Sequence, residues 1–123
     1  MGHRIVRQKS YDLALRVIRL CAHLKEQKDF EIANQLLRVE TAIGASVEEG
    51  LAGFSRRDFA AKMSIASKEA REANYWLRLL TDAKIVIGED AKELLVASEE
   101  LVKMLTSIVK TARERESYRA EEK

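Results

Sequence analysis

No proline occurs anywhere in the 123 residues, and only five glycines do. Tight turns and barrel corners depend on those residues, so this chain has little means of reversing direction often. What it holds in quantity is Ala, Leu, Glu, Lys and Arg, the residues that favour long helices. Hydrophobic residues make up 46% and aromatics only 6%, which argues against sandwiches, barrels, disorder and collagen-like repeats alike. The length fits one domain, residues 1–123, of the all-α class.

Apolar spacing divides the chain into four helical blocks, expected at about residues 8–26, 30–50, 56–84 and 90–115, with mobile ends. In the first, Leu13, Val17, Leu20 and Leu24 recur at 4, 3 and 4, a stripe that Ala14, Ile18 and Cys21 widen. A break at Lys28-Asp29 leads to the second, with Ala33, Leu36, Leu37, Ile43 and Val47. Gly50 and Gly53 then mark a helix end or loop. Ser55 is the expected N-cap of the third block, and Asp58 favours its positive end. Its seam is a heptad a/d pattern: Phe59, Met63, Ala66, Ala70, Ala73, Leu77 and Leu80. Three alanines there let a neighbour approach closely, and Trp76 lies beside them. Ile85-Val86-Ile87 reads as a packed connection, since no second strand exists to pair with it. The fourth block repeats Leu94, Ser98, Leu101, Leu105, Ile108 and Ala112. Helices of about 18 to 28 residues give rods of about 27 to 42 Å, and short connections make neighbours antiparallel. An antiparallel up-down-up-down four-helix bundle is the expected fold.

Catalytic signatures are absent from the sequence. Neither His3 nor His23 lies in the Glu-x-x-His arrangement of di-iron bundles, and the adjacent pairs Glu48-Glu49 and Glu99-Glu100 point about 100° apart on a helix. Gly50-Leu51-Ala52-Gly53 lacks the spacing of a phosphate loop, and Ser46 and Ser55 sit in no recognisable nucleophile motif. One cysteine, Cys21, excludes an intrachain disulfide and a Cys-based zinc site, and reads as a small buried hydrophobe. No catalytic residue, metal or cofactor is expected. With no signal-peptide pattern and no run of 18 apolar residues, the expected setting is cytoplasmic, away from the membrane.

Charge placement is more informative than the net charge of +2. Successive segments 1–28, 29–54, 55–84 and 85–123 carry +5, −4, +3 and −2, so a bundle made from them has faces of opposite sign, able to steer an anionic partner or a second copy. Lys9, Arg16 and Arg19 form one basic stripe, and Lys68, Arg71, Tyr75 and Arg78 another; Arg56 and Arg57 open the third block. Arginine binds phosphate in bidentate fashion and an interleaved Tyr offers a stacking surface. The candidate nucleic-acid contacts are therefore Arg16, Arg19, Arg56, Arg57, Lys68, Arg71 and Arg78. The competing reading is a solvated face of ion pairs, because Glu69 and Glu72 lie among these residues.

Four stretches carry a resemblance: Ile43-Gly44-Ala45-Ser46-Val47-Glu48-Glu49-Gly50, Ser55-Arg56-Arg57-Asp58-Phe59, Met63 through Glu72, and Tyr75-Trp76-Leu77-Arg78-Leu79-Leu80. Over about residues 8 to 110 the chain resembles the bacterial four helix bundle protein family, whose founding members are encoded in intervening sequences of 23S ribosomal RNA genes and are labelled ribosomal-protein-like. The resemblance implies an antiparallel four-helix bundle and assembly as a cyclic homopentamer. The accessory proteins of diversity-generating retroelements are similar to this family; they form basic pentameric barrels that bind nucleic acid and a reverse transcriptase. The resemblance brings no catalytic residues. The expected function is non-enzymatic: an oligomer binding structured RNA such as ribosomal RNA through basic helix faces. The alternative is a protein-interaction adaptor for a partner enzyme such as a reverse transcriptase.

Overall fold

The computed structural model describes the backbone of residues 2–122 and the side chains of residues 3–117. Four helices occupy it: α1 (Gly2–Glu26), α2 (Phe30–Leu51), α3 (Arg56–Asp82) and α4 (Gly88–Glu122). Each packs on the next and α4 returns to α1, giving the up-down-up-down bundle; the α1–α4 approach is the loosest of the four. No strand occurs among the described residues, and Ile85 and Val86 are half-buried against the core as a connection.

Helix ends differ from expectation. α1 begins at Gly2 rather than near residue 8, because the buried repeat continues backwards through Ser10 and Val6. α4 runs from Gly88 to Glu122 rather than over 90–115. Its last buried residue among the described side chains is Ala112, but no glycine or proline follows Gly88, and Arg113, Glu114, Arg115 and Glu116 sustain helix beyond it. Met1 and Lys123 lie outside the described residues. α3 stops at Asp82, two residues short of the expected end.

Two of the three turns are closed by lysines in the left-handed region, Lys28 (φ 67°) and Lys84 (φ 62°). After α1, the Asp29 N–H donates to the Leu24 carbonyl at 2.9 Å and the Lys28 N–H to Lys25 at 3.0 Å. After α3, Ile85 donates to Leu80 and Lys84 to Thr81, both at 3.0 Å. Both are Schellman motifs carrying lysine where glycine is usual. The α2–α3 turn needs its glycines for space instead. A Cβ at Gly50 would come within 3.1 Å of Lys62 Cβ and 3.2 Å of Met63 Cε, and one at Gly53 would fall onto the Asp58 carboxylate. Ser55 caps α3 as expected, its hydroxyl accepting from the Asp58 N–H at 3.0 Å.

The core follows the expected seams. Met63, Ala66, Ala70, Ala73, Leu77 and Leu80 of α3 are buried, as are Leu94, Ser98, Leu101 and Leu105 of α4. Cys21 is buried and its thiol donates to the Ala33 carbonyl at 3.3 Å; burial pushes its pKa up, so it is a packing residue rather than a reactive one.

One core residue is out of character. On α2 the buried positions Ala33, Leu36, Glu40, Ile43 and Val47 follow the 3–4 repeat, and Glu40 is 0% exposed with neither carboxyl oxygen hydrogen-bonded. Burial pushes its carboxyl up to about 7. A buried carboxyl with no partner resists ionisation, so the folded protein holds a proton that the unfolded chain has already released.

Two predictions follow from these local structures. Replacing Lys28 or Lys84 with glycine removes a left-handed strain and should raise stability by about 0.5–1 kcal/mol each in urea melts. Because the folded pKa of Glu40 is raised, the native state binds the extra proton, and stability should fall as pH rises from about 4.5 to about 7, then level off. The total loss is on the order of 3 kcal/mol, and Glu40→Gln should abolish that slope in melts at stepped pH.

Candidate nucleic-acid interface

The basic residues of α3 lie on its outside, away from the alanine seam. Lys68, Arg71, Tyr75 and Arg78 are all exposed. Arg71 Nη2 donates to the Thr106 hydroxyl of α4 at 2.9 Å, and Arg78 Nε donates to Asn74 Oδ1 at 2.9 Å. The Arg78 guanidinium stands 5.8 Å from the centre of the Tyr75 ring, a cation–π contact. Both partners are neutral, so these hydrogen bonds orient the guanidiniums without cancelling their charge. Lys68 has no ion-pair partner among the described residues.

The two acids expected to neutralise this face are engaged elsewhere. Glu72 accepts from Arg38 of α2 at 2.8 Å and from the Trp76 indole at 3.2 Å. Glu69 accepts from the Ser46 hydroxyl of α2 at 3.1 Å, and its partial burial there pushes its pKa above the ordinary carboxylate value. Both carboxylates therefore reach across the α2–α3 seam rather than towards Lys68, Arg71 and Arg78. Trp76 is half-buried against the core beside them.

Other candidate residues are placed differently. On α1, Arg16 pairs with Glu93 of α4 at 3.3 Å, and Lys9 pairs with Glu100. These pairs bridge the loose α1–α4 approach, and Arg16 spends its charge there. Arg19, further along the same groove, has no ion-pair partner among the described residues. Arg56 and Arg57 open α3, about 33 Å along the helix from Arg78. The seven candidates thus occupy three places: the outer face of α3, the start of α3 and the α1–α4 groove.

Spacing alone missed two further surface features. Tyr11, Leu15, Ile18 and Ala22, spaced 4, 3 and 4, are exposed on α1 although the core takes Leu13, Val17, Cys21 and Leu24. They form a second heptad row on the outside of the helix; the signal was present, with Ile18 instead counted towards the core stripe. Phe54, in the α2–α3 turn, is fully exposed. Among the described residues no three His, Cys, Asp or Glu side chains gather to hold a metal ion, and no helix is long and apolar enough to cross a membrane.

Comparison with known proteins gives a consistent picture. The family model described as 23S rRNA-intervening sequence protein matches residues 3–107. A crystal structure of a protein of unknown function from the S23 ribosomal protein family of Bacteroides thetaiotaomicron superposes with a TM-score of 0.83 at 40% identity, covering 89% of this chain and 99% of that one. No curated protein matches the chain.

Proposed function

The chain belongs to the 23S rRNA-intervening sequence protein family, and on that premise we propose that it is a non-enzymatic, self-assembling bundle in the cytoplasm that binds structured RNA, ribosomal RNA in particular. One observation carries this reading: Glu69 and Glu72 are hydrogen-bonded to α2, while Lys68, Arg71 and Arg78 are exposed and have no ion-pair partner among the described residues. Phosphate backbones bind such a surface by releasing counterions, and a Tyr among the arginines adds a stacking platform. Arg56, Arg57 and Arg19 extend the charge to neighbouring surfaces, while Arg16 contributes least because Glu93 holds it.

Assembly is supported by the exposed row of Tyr11, Leu15, Ile18 and Ala22, and the cyclic pentamer is the form that the family resemblance implies. Apolar residues at heptad spacing bury best against another helix. A ring would also repeat the α3 face around its circumference and multiply weak contacts. The same row favours the second reading, an adaptor for a partner enzyme such as a reverse transcriptase. In that case the row is covered by the partner and no copy of this chain takes its place.

RNA binding is tested with Lys68→Ala, Arg71→Ala and Arg78→Ala combined, by fluorescence anisotropy on a 23S ribosomal RNA fragment from about 50 to 200 mM salt. Three lost phosphate contacts should weaken binding at all sequences and flatten the log–log salt slope by about 2 to 3. An unchanged affinity and slope contradict the assignment. Assembly is tested by sedimentation. The wild type should run as a multiple of its 14.0 kDa chain mass, and Leu15→Glu with Ile18→Glu should run as a monomer with unchanged helix content. A monomeric wild type would leave the row to a partner protein.

A further inference from the structure

At one end of the bundle, the start of α1, the α2–α3 turn and residues 107–115 of α4 line a cleft of about 550 Å³, a size suited to a small organic ligand. Its lining joins residues far apart in sequence: His3, Phe54, Arg56, Ser107, Thr111 and Arg115. We propose that this cleft takes one unpaired nucleotide of an RNA strand, its base stacked on Phe54 and its phosphate met by Arg56 and Arg115.

Phe54 is the first argument. Phe54 is fully exposed and sits on the rim of a cleft rather than on an open face, where its ring is free to stack on a planar ligand. Its turn is held on both sides, by the Gly53 N–H donating to the Gly50 carbonyl at 3.2 Å and by the Ser55 cap. The ring is therefore presented by a fixed backbone, at little ordering cost on binding. Any base has a face to stack on it.

Charge is the second. Arg56 is the first residue of the 27-residue α3, so the helix dipole adds to its field. Neither Arg56 nor Arg115 has an ion-pair partner among the described residues. Two acids at this end are already used, Glu48 by Arg7 at 2.8 Å and Glu49 by Lys62 at 3.8 Å. Asp58 lies against Gly53, and Glu114 and Glu116 flank Arg115 in sequence but project to either side of it. Partial burial, with Arg115 adding to it, lowers the pKa of His3, whose ring packs 4.8 Å from that of Phe59. The hydroxyls of Ser107 and Thr111 on the α4 wall can both donate and accept, as recognition of a base edge or a 2′-hydroxyl requires. A second cleft in the α1–α4 groove, of about 560 Å³, has Arg16 already paired and Asp90 in its lining, which suits an anion less well.

The proposal rests on the RNA-binding reading for its ligand class, and its test separates the two. A short single-stranded RNA carrying 5-iodouridine is photo-cross-linked to the protein and the adduct mapped by mass spectrometry. Cross-linking to Phe54 is expected, with Phe54→Ala weakening binding about fivefold or more, Phe54→Trp restoring it, and Arg56→Gln with Arg115→Gln reducing it further. Adducts confined to the outer face of α3, with Phe54→Ala silent, overturn the cleft and leave the RNA reading standing. No RNA bound by the wild type removes both. A changed oligomer mass in Phe54→Ala, without loss of RNA affinity, makes Phe54 a subunit contact and also overturns the proposal. Adenosine monophosphate is the second probe: competition only at millimolar concentration fits a nucleotide held within a strand, whereas micromolar binding overturns that in favour of a free nucleotide.

Discussion

The close approach of α2 to α3 is the constraint from which the surface of this protein follows. Ala66, Ala70 and Ala73 keep the α3 seam low, and Gly50 leaves room for Lys62 and Met63 at the bottom of the contact. With the helices drawn together, Arg38 and Ser46 on α2 come within hydrogen-bond distance of Glu72 and Glu69 on α3. Those bonds gather the acids of α3 into the seam. The basic residues, Lys68 and Arg71 next to them in sequence and Arg78 six positions on, remain on the outside. Small residues in the core thus decide the sign of the outer face, because they decide which side the carboxylates are needed on.

That chain of dependence shows why a charge stripe is hard to judge from sequence. Lys68, Arg71 and Arg78 are interleaved with Glu69 and Glu72, and a linear count calls the segment nearly balanced. The helix separates them by angle, and α2 then binds the acids. Ion pairing has the opposite effect on α1, where Arg16 looks equally available in the sequence but is held by Glu93, 77 positions away. Nothing local to either residue announces that pair.

The fold was far more legible. The 4–3 spacing of Leu13, Val17, Leu20 and Leu24, and the regular seam from Met63 to Leu80, describe helix faces directly, since burial follows helical periodicity. The bundle, its turns and its buried rows follow from that pattern. What escaped it has identifiable causes. Val6 and Ser10 extend the α1 repeat, but a buried serine breaks the apolar signal. Glu40 occupies a core position of α2 that no apolar count includes, and a carboxyl there costs stability at neutral pH. Lys28 and Lys84 end helices with a residue that carries no turn signature. The Phe54 cleft is assembled from positions 3 to 115, and such an arrangement exists only once the chain has folded.

The account stands or falls on the α3 face carrying free positive charge towards RNA. The most direct measurement is the salt dependence of wild-type binding to a 23S ribosomal RNA fragment. The account predicts measurable affinity near 150 mM salt and a log–log slope of about −2 or steeper, the signature of at least three phosphate contacts. Binding that ignores salt, or no binding at 50 mM, would contradict it.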